Sequence, residues 1–183
     1  MKKIKLSLNS LLLLSISFLF ACQSDSIQSY SIPKENRNSI DIATKQTIDF
    51  TWTAPSHWEV QPASGFRLAS YHVHKGEQDV DISFSKLAGD GGGVLANINR
   101  WRGQLNLNAI SEKELGSVLK TVTINSINFQ LVKLVNTQEN TAMTVAMFNH
   151  GNFLYFIKAM GSTTLVKETV PDLVSVLESI SFK

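Results

Sequence analysis

The segment 66–87, FRLASYHVHKGEQDVDISFSKL, decides the fold class, because it has the pattern of a β-hairpin. The four residues from Lys75 to Gln78 supply turn chemistry between two runs that are rich in β-branched and aromatic side chains. Apolar and polar side chains alternate along both runs, as they do in strands with one face on a core and the other in water. The segment therefore predicts two antiparallel strands of defined register.

One face of this hairpin carries histidine and aspartate side chains close together. Counting back from the turn pairs His74 with Asp79 and His72 with Asp81, and the period of two places all four side chains on the same face. Imidazole nitrogens and carboxylate oxygens both bind Zn²⁺ and related ions, so these four residues form a candidate metal or small-ligand site. Ordinary cross-strand pairs on the solvent face of a sheet are the alternative interpretation.

The rest of the chain continues in short apolar runs separated by turn residues, which predict further strands and three helices. Ser111 and Glu114 form a capping box that opens a short helix, and 169–172 precede a final helix over Leu173 to Leu177, with Pro171 near its first turn. The other predicted elements are strands at 48–53, 121–124, 127–135, 141–148 and 153–160 and a helix from Leu95 to Leu105. This order predicts an α+β fold, a mostly antiparallel β-sheet with packed helices.

The glycine-rich run from Gly89 to Gly93 lies between a predicted strand and a predicted helix. Such a run could cradle a phosphate, but position 94 is Val rather than the Gly of a dinucleotide motif, and the Lys-Ser or Lys-Thr pair of a Walker loop is absent. We expect instead a turn that needs positive φ angles, with Asp90 capping the helix that follows.

The helix after this turn has an apolar side, which includes Trp101, and a polar, partly cationic side. A mixture of arginine, amide and nearby aromatic side chains recurs at protein interaction sites. The sequence therefore predicts a contact surface on this helix, made of Asn97, Arg100, Arg102 and Gln104.

The N-terminus has the layout of an exported precursor. Three lysines precede an apolar stretch from Leu11 to Phe20, which is shorter than the roughly 20 residues of a membrane-spanning helix. The tetrapeptide Leu19-Phe20-Ala21-Cys22 resembles the lipobox of bacterial lipoproteins, and Cys22 is the only cysteine.

This resemblance implies that residues 1–21 are a signal peptide and that Cys22 receives a diacylglycerol and an N-acyl chain such as palmitate. Gln23 after the cysteine is similar to the pattern that sorts Gram-negative lipoproteins to the outer membrane, facing the periplasm. Residues 22–43, rich in Ser, Asn and Gln, are expected to be a flexible tether, and 44–183 a single domain.

Composition and motifs narrow the function. Removal of Lys2, Lys3 and Lys5 leaves 14 basic against 15 acidic residues and no basic stripe, which argues against nucleic acid as a partner. The sequence contains no GxSxG and no HExxH pattern, and a lipidated Cys22 is not a free nucleophile, so we expect no catalytic residues and no enzyme.

The predicted order of elements also resembles the fold shared by PsbP of photosystem II and the Ran-binding protein Mog. The similarity rests on Trp52-Thr53-Ala54-Pro55 with Trp58, the hairpin from Met143 to Ile157, and the C-terminal 177–182. Members of that fold serve mainly as binding and assembly modules. Together with the lipobox, this implies a membrane-anchored, non-catalytic binding or assembly module with a protein partner and no cofactor besides its lipid; the alternative is a metal or small-ligand binder that uses the histidine hairpin.

Overall fold

The computed structural model describes residues 48–183, so the predicted signal peptide, Cys22 and the tether lie outside the described residues. The fold is α+β, a mostly antiparallel sheet with packed helices, as the sequence predicted. No helix among the described residues is long and apolar enough to cross a membrane. The strands are β1 Phe50–Thr51, β2 Glu59–Gln61, β3 Arg67–Lys75, β4 Gln78–Ala88, β5 Leu119–Ile124, β6 Ile127–Asn136, β7 Thr141–His150, β8 Phe153–Ser162 and β9 Ser181–Phe182, and the helices are α1 Val94–Gln104, α2 Leu115–Val118 and α3 Thr163–Glu178.

Seven strands form one antiparallel sheet in the order β2-β3-β4-β8-β7-β6-β5. The β3–β4 hairpin has the predicted register, with His74 opposite Asp79 and His72 opposite Asp81. Strand β2, which the sequence did not predict, pairs with β3 and forms one edge of the sheet. The chain ends pair in a separate two-stranded sheet, in which Phe50 lies opposite Phe182.

Helix α3 covers one face of the sheet and closes the larger core. Phe84 of β4 is fully buried there and stacks on Trp52, with ring centroids 4.5 Å apart. Phe148 and Tyr155 stack at 5.1 Å on the neighbouring strands. Aromatic pairs of this kind stabilise a core beyond the area that they bury.

Helix α1 covers part of the opposite face, mainly over strands β6 to β8. Its buried side chains Ile98 and Trp101 pack with residues of those three strands in a second, smaller core. The β2–β4 part of the same face carries polar side chains, among them the half-exposed His72 and His74. Within residues 48–183, this polar surface lies beside helix α1 with no helix above it.

Two predicted helix starts differ from the structure. Helix α3 begins at Thr163, after Ser162 whose hydroxyl accepts a hydrogen bond from Leu165 N, so Pro171 lies inside the helix rather than in its first turn. The exposed position of Pro171 explains this, because the carbonyl that loses its partner one turn earlier can be solvated.

The glycine run forms the expected turn but is capped differently. Gly91, Gly92 and Gly93 have φ angles between 62° and 89°, which confirms the need for glycine. Asp90 Oδ1 accepts a hydrogen bond from Gly92 N at 2.9 Å, so Asp90 stabilises the turn itself. The N-cap of helix α1 is Gly93, which has no side chain to cap it. The predicted capping box is confirmed: Ser111 N and Oγ both donate to Glu114.

Candidate functional site

A cleft of about 280 Å³ lies where helix α1 meets strands β4 and β8. The indole of Trp101 and the ring of Phe156 meet edge to face in its wall, with centroids 5.5 Å apart. Phe66 also lines the cleft and is 70% exposed, which is unusual for so large an apolar side chain. The lining residues are Phe66, Arg67, Ser83, Ser85, Leu87, Asn97, Arg100, Trp101, Gln104, Phe156 and Lys158.

The lining of the cleft includes three cations and no carboxylate. Arg67 is bound by the carboxylate of Asp81, which lies outside the lining, at 2.7 and 2.8 Å. Arg100 donates instead to a neutral group, Asn97 Oδ1, and Lys158 Nζ lies 3.4 Å from the amide oxygen of Gln104. A negative charge that entered this cleft would meet positive charge on two sides.

Burial lowers the pKa of the Lys158 ammonium below its ordinary value near 10.5, because the charged form loses hydration. Asp81 opposes this shift and Arg67 adds to it by like-charge repulsion. A further negative charge next to Lys158 would oppose this shift, as Asp81 does.

We expect the Lys158→Met variant to melt at a higher temperature than the wild type at pH 7. Because the pKa of Lys158 is lower in the folded than in the unfolded protein, the folded wild type becomes more stable as the pH rises from the folded-state pKa towards the unfolded-state pKa. The stability advantage of the variant should therefore shrink towards pH 10. Thermal unfolding followed by circular dichroism at both pH values measures this. The exposed Lys120 provides the control, because Lys120→Met should change stability little. A lower melting temperature for Lys158→Met at pH 7 would contradict the expectation.

The structure divides the predicted contact surface Asn97, Arg100, Arg102 and Gln104. Arg100 and Gln104 are exposed and line the cleft together. Arg102 lies on another side of the helix, where its Nε donates to Asn108 O at 2.6 Å. The cleft therefore contains part of the predicted surface but not Arg102.

The expected exposure of Asn97 is corrected by the structure, since Asn97 is buried with 1% of its surface accessible. Its amide nitrogen donates to Gly91 O and Gly93 O at 3.0 and 2.9 Å, and its oxygen accepts from Arg100. Asn97 thus ties the glycine turn to helix α1 and positions Arg100. Its position four residues before Trp101, on the same side of a helix, was the sequence signal that indicated burial.

A second feature, which we call the imidazole cluster, lies on the same face at the hairpin end of β3 and β4. It consists of His72, His74 and Asp79, whose ligand atoms lie within 4.8 Å of one another. Asp79 Oδ1 is 3.1 Å from His74 Nδ1 and 3.8 Å from His72 Nδ1. Three of the four residues predicted as a metal site are thus brought together.

The fourth predicted residue, Asp81, has a different environment. Its carboxylate accepts both hydrogen bonds from Arg67 and lies 3.8 Å from His72 Nε2. Glu59 on the unpredicted strand β2 approaches the cluster as well, with Oε2 3.6 Å from His74 Nε2. The sequence could not indicate Glu59, because a three-residue edge strand has too few positions to show a period.

Comparison with known proteins gives similarity in structure but not in sequence. No protein-family model matches this chain, and no curated protein matches it. It is similar to a protein of Bacteroides thetaiotaomicron VPI-5482, with 15% identity over 74% of this chain and a TM-score of 0.39, although this chain spans only 45% of that protein.

Two further similar structures are covered over most of their length. One is the cyanobacterial PsbP of Synechocystis sp. PCC 6803, with 9% identity, a TM-score of 0.46 and coverage of 77% of this chain and 89% of that one. The other is LpqN of Mycobacterium tuberculosis, described as involved in cell envelope biogenesis, with 10% identity, a TM-score of 0.41 and coverage of 73% and 83%. The first of these structures is a member of the PsbP family that the sequence resembles.

Proposed function

We propose that this chain is a membrane-anchored lipoprotein of the cell envelope that acts as a non-catalytic binding module. The cleft beside helix α1 supports this proposal most directly, because it combines an exposed aromatic ring, an aromatic wall and three cations. Arginine and aromatic side chains are enriched where proteins recognise partners. In this proposal the chain holds its partner without transforming it.

The chemistry of the cleft favours an acidic segment of a partner protein as its occupant. Arg100 and Lys158 can each pair with a carboxylate, and Phe66 and Trp101 can cover the apolar part of the entering side chain. The volume of about 280 Å³ is at or below the low end of cavities that enclose whole small ligands. It suits one or two inserted side chains of a larger partner.

The anchor in this proposal is the lipid on Cys22, for which the lipobox resemblance provides the support. Each buried methylene contributes about 0.8 kcal/mol to membrane binding, so two or more acyl chains hold a protein stably. The residue after the cysteine, Gln23, favours the outer membrane and a domain that faces the periplasm.

Replacing Cys22 tests the anchor. We expect wild-type protein made in cells fed with labelled palmitate to carry the label and to sediment with outer membranes. The Cys22→Ser variant should lose the label, because serine offers no thiol for lipid transfer. An unlabelled wild-type protein would refute the lipid anchor, whatever its location.

Two arginines on helix α1 form a matched pair that tests the cleft. Arg100→Ala removes a cation from the cleft, whereas Arg102→Ala removes one from the other side of the helix. We expect crosslinking in intact cells, followed by purification of the full lipoprotein, to capture one dominant partner with wild type and Arg102→Ala. Arg100→Ala should reduce that partner at least tenfold, since a desolvated charge pair contributes a few kcal/mol. Equal capture by all three proteins would refute the cleft as the contact site.

A further inference from the structure

The imidazole cluster brings two imidazoles and one carboxylate together, and two further carboxylates lie near the outer side of the rings. Both Nδ1 atoms, of His72 and His74, face the same oxygen, Asp79 Oδ1, at 3.8 and 3.1 Å. Zinc ligands at 2.0–2.1 Å from a tetrahedral ion lie roughly 3.3–3.4 Å apart along the edges of the tetrahedron. These two distances fall on either side of this value, and all three ligand atoms lie within 4.8 Å of one another, so side-chain rotations can bring them into an N₂O donor set.

The opposite nitrogen of each imidazole faces a different carboxylate. His72 Nε2 lies 3.8 Å from Asp81 Oδ1, and His74 Nε2 lies 3.6 Å from Glu59 Oε2. A histidine that binds a metal through one nitrogen almost always donates its other N–H to an acceptor such as a carboxylate, which fixes the ring and makes the ligand more basic. The cluster places a carboxylate 3.6–3.8 Å from each ring, just beyond hydrogen-bond distance, so a small approach would supply this acceptor.

The outer carboxylates are themselves held by the fold. Arg67 grips Asp81 with two hydrogen bonds of 2.7 and 2.8 Å, and Glu59 sits on β2 directly opposite His72 in the strand register. Both histidines and Asp79 project from paired positions of one hairpin, so their spacing is fixed by the sheet rather than by a loop.

The charge of this surface also favours a cation. With neutral imidazoles, the three carboxylates of Glu59, Asp79 and Asp81 outweigh the single guanidinium of Arg67 by two negative charges, which a divalent ion would balance. Lys158 contributes positive charge on the far side of Asp81, towards the cleft. Two nitrogens and one oxygen match Zn²⁺ and the neighbouring transition ions, whereas Ca²⁺ and Mg²⁺ prefer oxygen alone.

We propose that His72, His74 and Asp79 bind one Zn²⁺-type divalent transition ion, with Asp81 and Glu59 as the carboxylates that orient the two imidazoles. The three ligands are partly exposed, so a fourth coordination position is open to water. The metal ligands lie outside the lining of the cleft, and the proposal assigns Asp81 an orienting part rather than that of a ligand.

Isothermal titration of the tagless full chain with ZnCl₂ tests the proposal. The chain is purified in detergent with Cys22→Ser, so that no thiol competes for the metal. We expect saturable binding of one equivalent and, with Co²⁺ in place of Zn²⁺, visible absorption typical of low-coordinate nitrogen ligation. His74→Asn and Asp79→Asn should each weaken binding at least 100-fold, and Asp81→Asn and Glu59→Gln should weaken it 10- to 100-fold.

A second histidine–aspartate pair provides the control. His57 Nε2 lies 3.0 Å from Asp172 Oδ2, away from the cluster, so His57→Asn should bind zinc as the wild type does. Circular dichroism shows whether each variant is folded. If either His74→Asn or Asp79→Asn does not fold, the other variant still tests the ligand set. Absence of one-equivalent binding in the Cys22→Ser chain, or an equal loss when His57→Asn is added to it, would overturn the site. Arg100→Ala should bind zinc normally, which separates this test from that of the cleft.

Discussion

Replacing Phe84 with alanine should lower the free energy of unfolding by about 3–5 kcal/mol. Phe84 is fully buried on β4, the strand next to the centre of the sheet, where it stacks on Trp52 and meets Tyr71 edge to face at 5.8 Å. Alanine would remove the ring and leave a cavity between helix α3 and the sheet, and the rigid strand backbone on both sides prevents its collapse.

The matched control for this substitution is Phe66→Ala, which makes the same chemical change at a position that is 70% exposed. We expect this variant to lose less than about 0.5 kcal/mol, since exposed positions contribute little to stability. Urea unfolding of both variants, with the slope compared to confirm a two-state transition, measures the difference. Similar losses for the two variants would mean that the core does not lie where the structure places it. Because Phe66 lines the cleft, the same variant also shows whether its ring contributes to partner capture.

The hairpin register could be predicted from sequence because two independent constraints agree there. A short turn fixes which residues face each other, and the alternation of apolar residues fixes which face is buried. A shift by one residue would expose Val80 and Ile82, both of which are fully buried. The positions of His72, His74, Asp79 and Asp81 followed from this register alone.

The register could not predict that Arg67 binds the carboxylate of Asp81. Arg67 lies beyond a β-bulge in β3, where the pairing with β4 shifts between Arg67 and Ala69. A bulge redirects side chains relative to the regular alternation, and this one accompanies an Arg67 that reaches Asp81. The sequence carries no clear signal for a bulge at this position, so Asp81 was grouped with the ligands.

The predicted start of helix α3 was wrong for a different reason, because the local sequence preference before Pro171 does not favour a helix. The residues from Thr163 to Val170 include several that are β-branched and disfavour helices slightly, so the sequence predicts the helix only from Pro171 onwards. Tertiary packing overrides this preference, because Leu165, Val166 and Thr169 are buried on the inner side of the helix. Thr169 also donates its hydroxyl proton to Leu165 O, which satisfies a polar group in the core.

The two candidate sites share one face of the sheet for a structural reason. Helix α1 is only 11 residues long and lies mainly over strands β6 to β8, so no helix among residues 48–183 covers the same face of β2 and β3. Positions that would otherwise be apolar can then hold charged and titratable groups. Asp81 connects the two sites, since it binds Arg67 of the cleft and approaches His72 of the cluster. We therefore expect a metal at the cluster and a partner at the cleft to influence each other electrostatically.

Gly161→Ala is the second substitution for which we expect a large loss of stability, about 3 kcal/mol or more. Gly161 lies in β8 between Val80 of β4 and Ala142 of β7, and a Cβ there would point directly into the backbone carbonyl oxygen of Asp79. A side chain could rotate away from such a contact, but a carbonyl within a hydrogen-bonded sheet cannot move without breaking the pairing of β4 with β8. Chemical denaturation of the variant measures the loss.

Gly103→Ala makes the same substitution at a position where we expect alanine to raise the stability of the protein instead of lowering it. Gly103 lies in helix α1 with no atom within 4 Å of an added Cβ, so alanine should stabilise the protein by about 0.5–1 kcal/mol through helix propensity.

A Gly161→Ala variant as stable as the wild type would show that β4 does not approach β8 so closely. The shift that relieves the contact must also move Asp79, the residue on which both imidazoles of the cluster converge. Folded Gly161→Ala protein should therefore bind zinc more weakly than Gly103→Ala, because a shift of the Asp79 backbone moves its carboxylate relative to the two imidazoles.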